Sequence, residues 1–421
     1  MVNDYKVIRY HSENNRKIEN LMHYINREAI KEQHEKQKEN KATGIDKMNK
    51  MAYGLEFDKN VEKLIEKMKT MSYKPQPIRR TYIPKLNGKQ RPLGIPAYED
   101  KLVQGIMAEV LSAIYEPKFL ECSYGFRHER NCHQAIREIN QTIMTKKVNY
   151  ILDCDIKGFF DNVDQKWLVK FLEHDIKDKK FIRYIVRFLK SGYMEEMKYY
   201  ETEKGTPQGG LISPVLANVY LHYVLDRYIE EVIKPKMKGE IYLVRYADDF
   251  IIMFQYEEEA KMLYQILIKR LAKFGLELEQ EKTRIIPFGR YKGTKETFDF
   301  LGFMHYNGIT RTGKYTVGHK ISKKKKKSKK SNIKQMIKEN RHNDIFDTIR
   351  QVNRVLVGIY AYYGINGMVE ELENLKYYVF KTILNVYNKR SQRNGFKMEH
   401  FINILNIIPL AKPRIYHNIW I

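Results

Sequence analysis

The chain has 421 residues and carries 76 Lys and Arg against 51 Asp and Glu, a formal net charge of +25. This length allows more than one domain, and a hydrophobic content of 43% argues against wholesale disorder. A balance this basic points to a polyanionic partner such as a nucleic acid.

The amino terminus is polar, and no stretch reaches the ~18–20 apolar residues of a membrane span, so we expect a cytoplasmic protein. Three scattered cysteines without a Cys-x-x-Cys pair argue against a zinc ribbon or a disulfide framework.

The amino-terminal region, residues 1 to about 75, is charged, and its segments 18–25 and 61–71 show helical spacing. A pattern of alternating strands and helices follows over residues 76–305. It begins with a hairpin whose turn is Asn87-Gly88, flanked by Lys85 and Arg91. Two cationic side chains on facing strands could bind the phosphates of a nucleoside triphosphate. The alternative interpretation is a basic hairpin whose side chains are only solvated.

A first acidic segment lies at residues 150–161, where an apolar strand leads into Asp155. Asp153 and Asp155 are two residues apart, so in a strand they share a face. We interpret Asp161 as the cap of a helix that begins near residues 162–164. At least one of the adjacent rings Phe159 and Phe160 is expected in the core.

A glycine-rich segment occupies residues 205–214. Gly209 and Gly210 permit close backbone approach to a ligand, and Gln208 offers an amide hydrogen bond. The alternative is an ordinary loop before a helix, with Ser213 as the N-cap and Pro214 as the first helical residue. The two interpretations are compatible.

A second acidic segment, Tyr246-Ala-Asp-Asp249, lies between the strand-length apolar runs 241–244 and 250–254. The pattern predicts a hairpin with Asp248 and Asp249 at its tip. Aspartates also occur in turns for backbone reasons alone. Combined with Asp155, however, they supply the hard oxygen ligands of a two-metal phosphoryl-transfer site.

These segments resemble the ordered sequence blocks of bacterial group II intron-encoded reverse transcriptases of the endonuclease-lacking type. The resemblance runs in the family's order from Lys41 to Phe303. Besides the two acidic segments, the blocks that carry it are residues 41–46 (KATGID), 82–96 (YIPKLNGKQRPLGIP), 123–127 (SYGFR), 205–214 (GTPQGGLISP), 275–283 (GLELEQEKT) and 300–303 (FLGF).

The resemblance implies an α+β right-hand polymerase with fingers, an antiparallel palm sheet and a helical thumb. It assigns catalysis to Asp155, Asp248 and Asp249. The same three residues and Ile156 are the implied ligands of two Mg²⁺ ions, and Mn²⁺ is the alternative metal. The implied nucleotide-binding residues are Lys85, Arg91, Phe160, Gln208, Gly209 and Lys282. By the same resemblance Phe160 packs under the sugar and favours deoxynucleotides, unless the alignment slips to Phe159. Lys282 is a candidate proton donor to pyrophosphate, or else a surface lysine.

The carboxyl-terminal third begins with a composition shift at residues 307–316, followed by a lysine-rich run at 323–330. Such a run is often a solvated tail, but inside the chain and before a helical pattern it favours phosphate contact. The pattern is helical over residues 333–387, and residues 355–364 (VLVGIYAYYG) resemble the family's thumb or maturase domain, although Ile359 stands where the family commonly has Trp. The predicted nucleic-acid contacts are Arg127, Lys323, Lys324, Lys325, Lys326, Lys327, Lys329, Lys330, Tyr362 and Tyr363.

We therefore expect an amino-terminal extension and start of the fingers (1–75), a fingers and palm domain (76–305), and a basic linker with a helical thumb and short tail (306–421). The expected reaction is deoxynucleotide addition to a primer 3′-hydroxyl on an RNA template. A structured intron or other cognate RNA is a further expected partner. The alternatives are a splicing cofactor with secondary polymerase activity, or a host-domesticated enzyme in phage defence, CRISPR spacer acquisition or DNA repair. Because no cluster of Cys and His follows the thumb, we do not expect a nuclease.

Overall fold

The computed structural model describes residues 4–84, 90–195, 198–206, 209–389 and 396–420. The α-helices in these ranges are α1 (Lys6–Glu13), α2 (Arg27–Lys36), α3 (Lys50–Leu55), α4 (Phe57–Lys69), α5 (Tyr98–Tyr115), α6 (Cys132–Thr145), α7 (Phe159–Asn162), α8 (Gln165–Asp175), α9 (Lys179–Leu189), α10 (Ser213–Leu221), α11 (Glu257–Lys273), α12 (Lys323–Glu339), α13 (Ile345–Tyr363), α14 (Val369–Asn388) and α15 (Met398–Ile407). The strands are β1 (Ile78–Pro84), β2 (Gln90–Ile95), β3 (Tyr150–Asp155), β4 (Tyr193–Glu195), β5 (Lys198–Tyr200), β6 (Ile241–Tyr246), β7 (Asp249–Phe254), β8 (Arg284–Pro287), β9 (Thr297–Phe300), β10 (Phe303–Ile309) and β11 (Tyr315–Ile321). Short 3₁₀ turns occupy Met22–Tyr24 and Lys234–Lys236, and π-helical turns occupy His222–Asp226 and Tyr228–Ile233.

The chain folds into two compact units. The first unit consists of Met1–Asn131, Leu152–Ile252 and Glu258–Arg284. The second unit consists of Cys132–Ile151, Met253–Glu257 and Ile285–Ile421.

The centre of the first unit is a sheet in which the strands lie in the order β6-β7-β3. The predicted hairpin is confirmed, because β6 and β7 are neighbours and join through a turn at Ala247 and Asp248. Helix α10 packs against α5 and α8 and is apolar around most of its circumference, so Leu216, Val219 and Tyr220 are fully buried. In the hairpin itself, Val244, Phe250 and Ile251 are fully buried, so the acidic turn is carried by strands that are part of the core.

A second sheet of the first unit has the order β2-β1-β4-β5. Strands β1 and β2 pair antiparallel, with Ile83 opposite Arg91, which confirms the hairpin predicted from Asn87-Gly88. The tip of that hairpin, including Lys85, lies outside the described residues.

The amino-terminal expectation is confirmed only in part. Helix α4 covers most of the segment 61–71 that was predicted helical. The segment 18–25 is not an α-helix, because Ile18 forms a parallel bridge to Ile176 and only a 3₁₀ turn follows. Its apolar residues are buried through this pairing, which helical spacing alone does not distinguish from one face of a helix.

The second unit combines a sheet of order β11-β10-β9 with helices α12, α13 and α14, which pack on one another. The lysine-rich run was predicted as a linker, and this is wrong, because it forms the first turns of α12. Ile333 and Ile337 are buried one turn apart further along that helix and anchor it, so the lysines before them remain helical. In the described ranges, no helix is both long and apolar enough to cross a membrane.

Candidate active site

Asp155 is the last residue of β3 and lies at the carboxyl end of that strand in the first unit's central sheet. Cys154 is buried, whereas its neighbours Asp153 and Asp155 are only half-buried, so the two aspartates share a face as predicted. The main chain continues into a short pairing in which Glu279 N donates to Asp155 O at 2.8 Å and Lys157 N donates to Glu277 O at 2.9 Å. Ile156 lies between these bonds, and this pairing does not use its carbonyl. Since isoleucine has no side-chain oxygen, that carbonyl is the only atom with which it could bind a metal.

The turn between β6 and β7 carries the other two predicted carboxylates. Ala247 adopts the left-handed conformation with φ of 57°, which is uncommon for a residue with a Cβ. Asp248 is half-buried and Asp249 is exposed. The turn therefore presents two adjacent carboxylates in a conformation that the backbone does not favour unaided.

The charges of the three aspartates act on one another. Burial raises the pKa of Asp248, and the charge of Asp155 raises it further, while Arg91 and Arg245 oppose this. Burial also raises the pKa of Asp249 to about 7, with contributions from Asp248 and Asp155. Because Asp249 keeps exposed surface, solvent screens part of this effect. Neighbouring negative charges favour the neutral form of a carboxyl group, and a bound cation would oppose this effect.

This donor set fits a divalent cation such as Mg²⁺. The donors are hard oxygens, and Mg²⁺ is usually bound by one or two carboxylates completed by water and phosphate oxygens rather than by an all-protein cage. In the described part of the chain, no three His, Cys, Asp or Glu side chains converge as a ready-made metal site. Asp155, Asp248 and Asp249 are therefore a candidate set of ligands and not a complete cage.

Two basic side chains lie next to the two aspartates of β3. Lys282 Nζ contacts Asp155 Oδ2, and this contact, ahead of the general charge of Asp155, raises the pKa of Lys282. Arg284 Nη2 lies 4.0 Å from Asp153 Oδ2. Lys282 is thus brought directly to a predicted metal ligand, although its side chain remains 63% exposed.

The adjacent rings Phe159 and Phe160 have separate environments. Phe159 is buried and contacts Phe160 edge-on, so it is the core ring of the pair. Phe160 is half-buried and lines a cavity of about 330 Å³. The cavity is also lined by Arg80, Pro92 and Gly94 of the hairpin, by Tyr193 of β4, and by Gly205 and Thr206 of the glycine-rich segment.

The glycine-rich segment approaches the hairpin through Gly209. This residue has φ of 109°, and a Cβ there would lie 2.1 Å from the carbonyl oxygen of Gly94. Only glycine fits this contact. Gln208 lies outside the described residues. The predicted N-cap at Ser213 is displaced by one position, since α10 begins at Ser213 and its N-cap is Ile212.

Two further predicted residues have structural roles. Arg127 is buried and donates to Glu116 at 2.7 and 2.9 Å and to the carbonyls of Leu120 and Ser123 at 2.8 Å. Its predicted nucleic-acid contact stays a prediction. The helix cap predicted at Asp161 is wrong, because Asp161 lies inside α7 and Asp164 caps α8 by accepting from Lys166 N and Trp167 N.

The second unit carries the remaining predicted contacts. Lys323, Lys324, Lys325 and Lys327 are exposed on α12, whereas Lys326 Nζ pairs with Glu371 at 2.9 Å. Lys329 and Lys330 lie over the rings of Tyr363 and Tyr378. Tyr363 is buried, and the half-buried Tyr362 donates to Leu301 O at 2.8 Å. The exposed lysines are therefore better placed than the tyrosines to meet a polyanion.

Sequence reasoning missed a group of buried polar residues behind the acidic turn, which we call the Arg245 network: Ser123, Asn218, Asp226 and Arg245. Arg245 and Asp226 are fully buried and form a two-pronged ion pair, with Nε–Oδ1 at 2.7 Å and Nη2–Oδ2 at 2.6 Å. The sequence shows that Arg245 directly precedes Tyr246-Ala-Asp-Asp249, which could have drawn attention to this residue. Nothing in the sequence identified its partners.

The described residues thus place three electrostatically interacting carboxylates at the end of one strand and the tip of the neighbouring hairpin. Residues 83–305, more than half of the chain, match the family model described as reverse transcriptase (RNA-dependent DNA polymerase). The chain belongs to this family. Residues 326–402 match the group II intron, maturase-specific domain, so this member is of the group II intron type.

The chain is also similar to two curated bacterial proteins. The chain is 37% identical over 263 residues to the group II intron-encoded protein LtrA of Lactococcus lactis subsp. cremoris, a match that covers 58% of this chain and 44% of LtrA. It is 29% identical over 318 residues to protein YkfC of Escherichia coli (strain K12), covering 67% of this chain and 80% of YkfC. The chain spans less than half the length of LtrA.

Proposed function

We propose that this chain is an RNA-directed DNA polymerase that adds deoxynucleotides to a primer 3′-hydroxyl on an RNA template. The observation that carries the proposal is the electrostatic grouping of Asp155, Asp248 and Asp249 at the end of β3 and the tip of the β6-β7 hairpin. Membership of the reverse transcriptase family supports it. Grouped carboxylates with raised pKa values are typical of functional sites.

Asp155, Asp248 and Asp249, with the main-chain carbonyl of Ile156, would hold Mg²⁺ or Mn²⁺. Such ions, when bound, supply charge stabilisation for phosphoryl transfer. Lys282 contacts Asp155, and a divalent cation on that carboxylate would compete with it for the same oxygen. The ammonium group of Lys282 would then be available to phosphate oxygens or as a proton donor to the leaving group.

We propose that the incoming nucleotide binds next to Phe160 and the β1-β2 hairpin. Arg91 at the start of β2 is exposed and close enough to affect the pKa of Asp248, so it can meet a phosphate bound at the acids. The ring of Phe160 lines the adjoining cavity and would oppose a 2′-hydroxyl. Lys85 and Gln208 are proposed to take part on the resemblance of their blocks alone.

RNA binding by the second unit is a further part of the proposal. The maturase-specific match and the exposed lysines of α12 support contact with a structured, intron-type RNA, and we propose a bacterial cytoplasm as the setting. The same match favours a second candidate function, in which the chain is a splicing cofactor and polymerisation is secondary. Loss of Asp248 separates the two functions, because splicing assistance should survive the substitution and polymerisation should not.

The test is primer extension on an RNA template with a DNA primer, Mg²⁺ and either deoxynucleotides or ribonucleotides. Asp248→Ala should abolish extension, whereas Asp58→Ala, an exposed acid paired with Arg27 in the same unit, should leave it unchanged. Extension by Asp248→Ala at more than a tenth of the parent rate would reject the proposed metal site. Absence of extension by the parent chain, with salt-sensitive RNA binding retained, would favour the splicing cofactor.

A further inference from the structure

Arg245 is completely buried directly behind the acidic turn, and its guanidinium uses all five of its N–H donors. Besides the two bonds to Asp226, Nη1 donates to Asn218 Oδ1 at 3.0 Å and to Ala247 O at 2.9 Å, and Nη2 donates to Ser123 Oγ at 2.7 Å. Arginine is the side chain that offers five donors in a fixed plane. The bond to Ala247 O holds the one turn residue with a positive φ.

The partners of Arg245 come from three separate elements of the first unit. Ser123 belongs to the segment that runs beside β6, where Tyr124 N donates to Arg245 O and Arg245 N donates to Cys122 O, both at 2.8 Å. Asn218 lies on α10, the helix that follows the glycine-rich segment. Asp226 ends the π-helical turn His222–Asp226, a rare helix type that is frequent at functional sites.

A second contact closes the network around the turn. Asn218 Nδ2 donates to Gly125 O at 2.7 Å, and the backbone of Gly125 lies so close to the turn that a Cβ there would be 2.3 Å from Ala247 N. Ala247 is therefore held by a hydrogen bond to its carbonyl and by backbone packing against its amide. Because the network is inaccessible to solvent, no water can substitute for a lost partner without repacking.

We propose that the Arg245 network is a positioning device that fixes Asp248 and Asp249 relative to Asp155 and thereby sets the affinity of the site for divalent cations. This inference deepens the proposed function and rests on it for the identity of the metal ligands. Removing one partner leaves the turn attached but free to relax from the left-handed conformation of Ala247. The spacing of the carboxylates then varies, and metal affinity falls while the rest of the unit stays folded.

The alternative is that the buried pair only stabilises the fold, since breaking any buried ion pair is destabilising. A matched control distinguishes the two possibilities. Asp175 is also a buried carboxylate of the first unit and pairs with Lys118 at 3.1 Å, but it has no contact with the turn among the bonds of the described residues. Asp226→Asn and Asp175→Asn make the same chemical change to a buried ion pair.

The experiment measures Mn²⁺ binding to the full chain without nucleic acid, by electron paramagnetic resonance of the free ion, and the Mg²⁺ midpoint of primer extension. Asp248→Ala identifies the Mn²⁺ bound at the turn. We expect Asp226→Asn to raise the Mn²⁺ dissociation constant and the Mg²⁺ midpoint at least tenfold, and Asp175→Asn to change neither by more than twofold. Should Asp226→Asn not fold, Ser123→Ala removes a single bond and should raise both at least threefold.

Unchanged Mn²⁺ affinity in folded Asp226→Asn or Ser123→Ala would overturn the inference, as would an equal loss in Asp175→Asn. Absence of Mn²⁺ binding that depends on Asp248 would also overturn it. If the parent binds Mn²⁺ through Asp248 but does not extend primers, the polymerase proposal fails, and the network is still tested by the dissociation constants alone.

Discussion

The close packing of Gly125 against the acidic turn makes Gly125→Ala a sharp test of how the site is positioned. An added Cβ would lie 2.3 Å from Ala247 N, 2.9 Å from Tyr246 C and 3.1 Å from Ala247 Cα. All three atoms are backbone, so no side chain can rotate away. Ordinary contact begins at 3.4 Å, and the turn or the Gly125 segment must therefore retreat by about 1 Å, a displacement that packed cores resist.

The expected cost has two parts. Overpacking a rigid interior typically lowers the free energy of unfolding by ~1–3 kcal/mol. A shift of about 1 Å in a catalytic group reduces the rate by roughly 100-fold. We therefore expect Gly125→Ala to lower kcat by about two orders of magnitude while the primer–template dissociation constant changes little, because the substituted residue lies under the turn and not on a predicted nucleic-acid surface.

Single-turnover primer extension, with thermal unfolding measured on the same sample, is the appropriate assay. The control is Gly54→Ala in α3 of the same unit, where the nearest atom to a new Cβ is His34 Nε2 at 3.6 Å. That exchange should leave activity unchanged and stabilise the helix by ~0.5–1 kcal/mol. Activity of folded Gly125→Ala within threefold of the parent would refute the idea that the turn needs this backbone contact.

Other sites make further predictions. Phe160→Ala should raise ribonucleotide use relative to deoxynucleotides at least tenfold, measured as the ratio of kcat/KM values, because it removes the ring that lines the cavity. Burial lowers the pKa of His319 to about 4. The unfolded histidine titrates near ~6.5, so the unfolded state binds more protons between these values, and stability falls by at most ~3 kcal/mol as the pH drops through that window. His319→Gln should reduce the fall of urea unfolding midpoints between pH 7 and 4.5 without abolishing it, because burial also lowers the pKa values of His305 and His222. Replacing the exposed Lys323 and Lys327 by Gln should each reduce the slope of log affinity for RNA against log salt by about one, whereas Lys326, which pairs with Glu371, should contribute less.

The local features of the site were predictable from sequence because they depend on short-range patterns. Alternation along β3 placed Asp153 and Asp155 on one face, and two apolar runs flanking Asp248 and Asp249 predicted the hairpin. The segment 18–25 shows the limit of such patterns. There, pairing with Ile176, more than 150 positions away in the chain, overrode an apparent helical spacing.

The sequence also could not decide which of several chemically similar residues takes a given structural role. Asp161 and Asp164 are both plausible caps, and the choice depends on where α7 ends and α8 begins. Likewise, a row of lysines reads as a solvated linker until Ile333 and Ile337 are known to be buried in the same helix. In each case the deciding interaction is tertiary, and the local pattern fits both outcomes.

Arg127 and Arg245 show the same dependence on tertiary contacts. Arg127 and Arg245 each adjoin a sequence block, and a strongly basic chain encourages the view that such residues meet a polyanion. Both are instead buried, Arg127 on Glu116 and Arg245 on Asp226. An arginine can satisfy several carbonyls and carboxylates at once, and so it suits the point where loops from distant parts of the chain must be held together without water. In this protein the exposed lysines of α12 are available for a nucleic acid, whereas the buried Arg245 acts on the chemistry indirectly, through the conformation of the turn that presents Asp248 and Asp249.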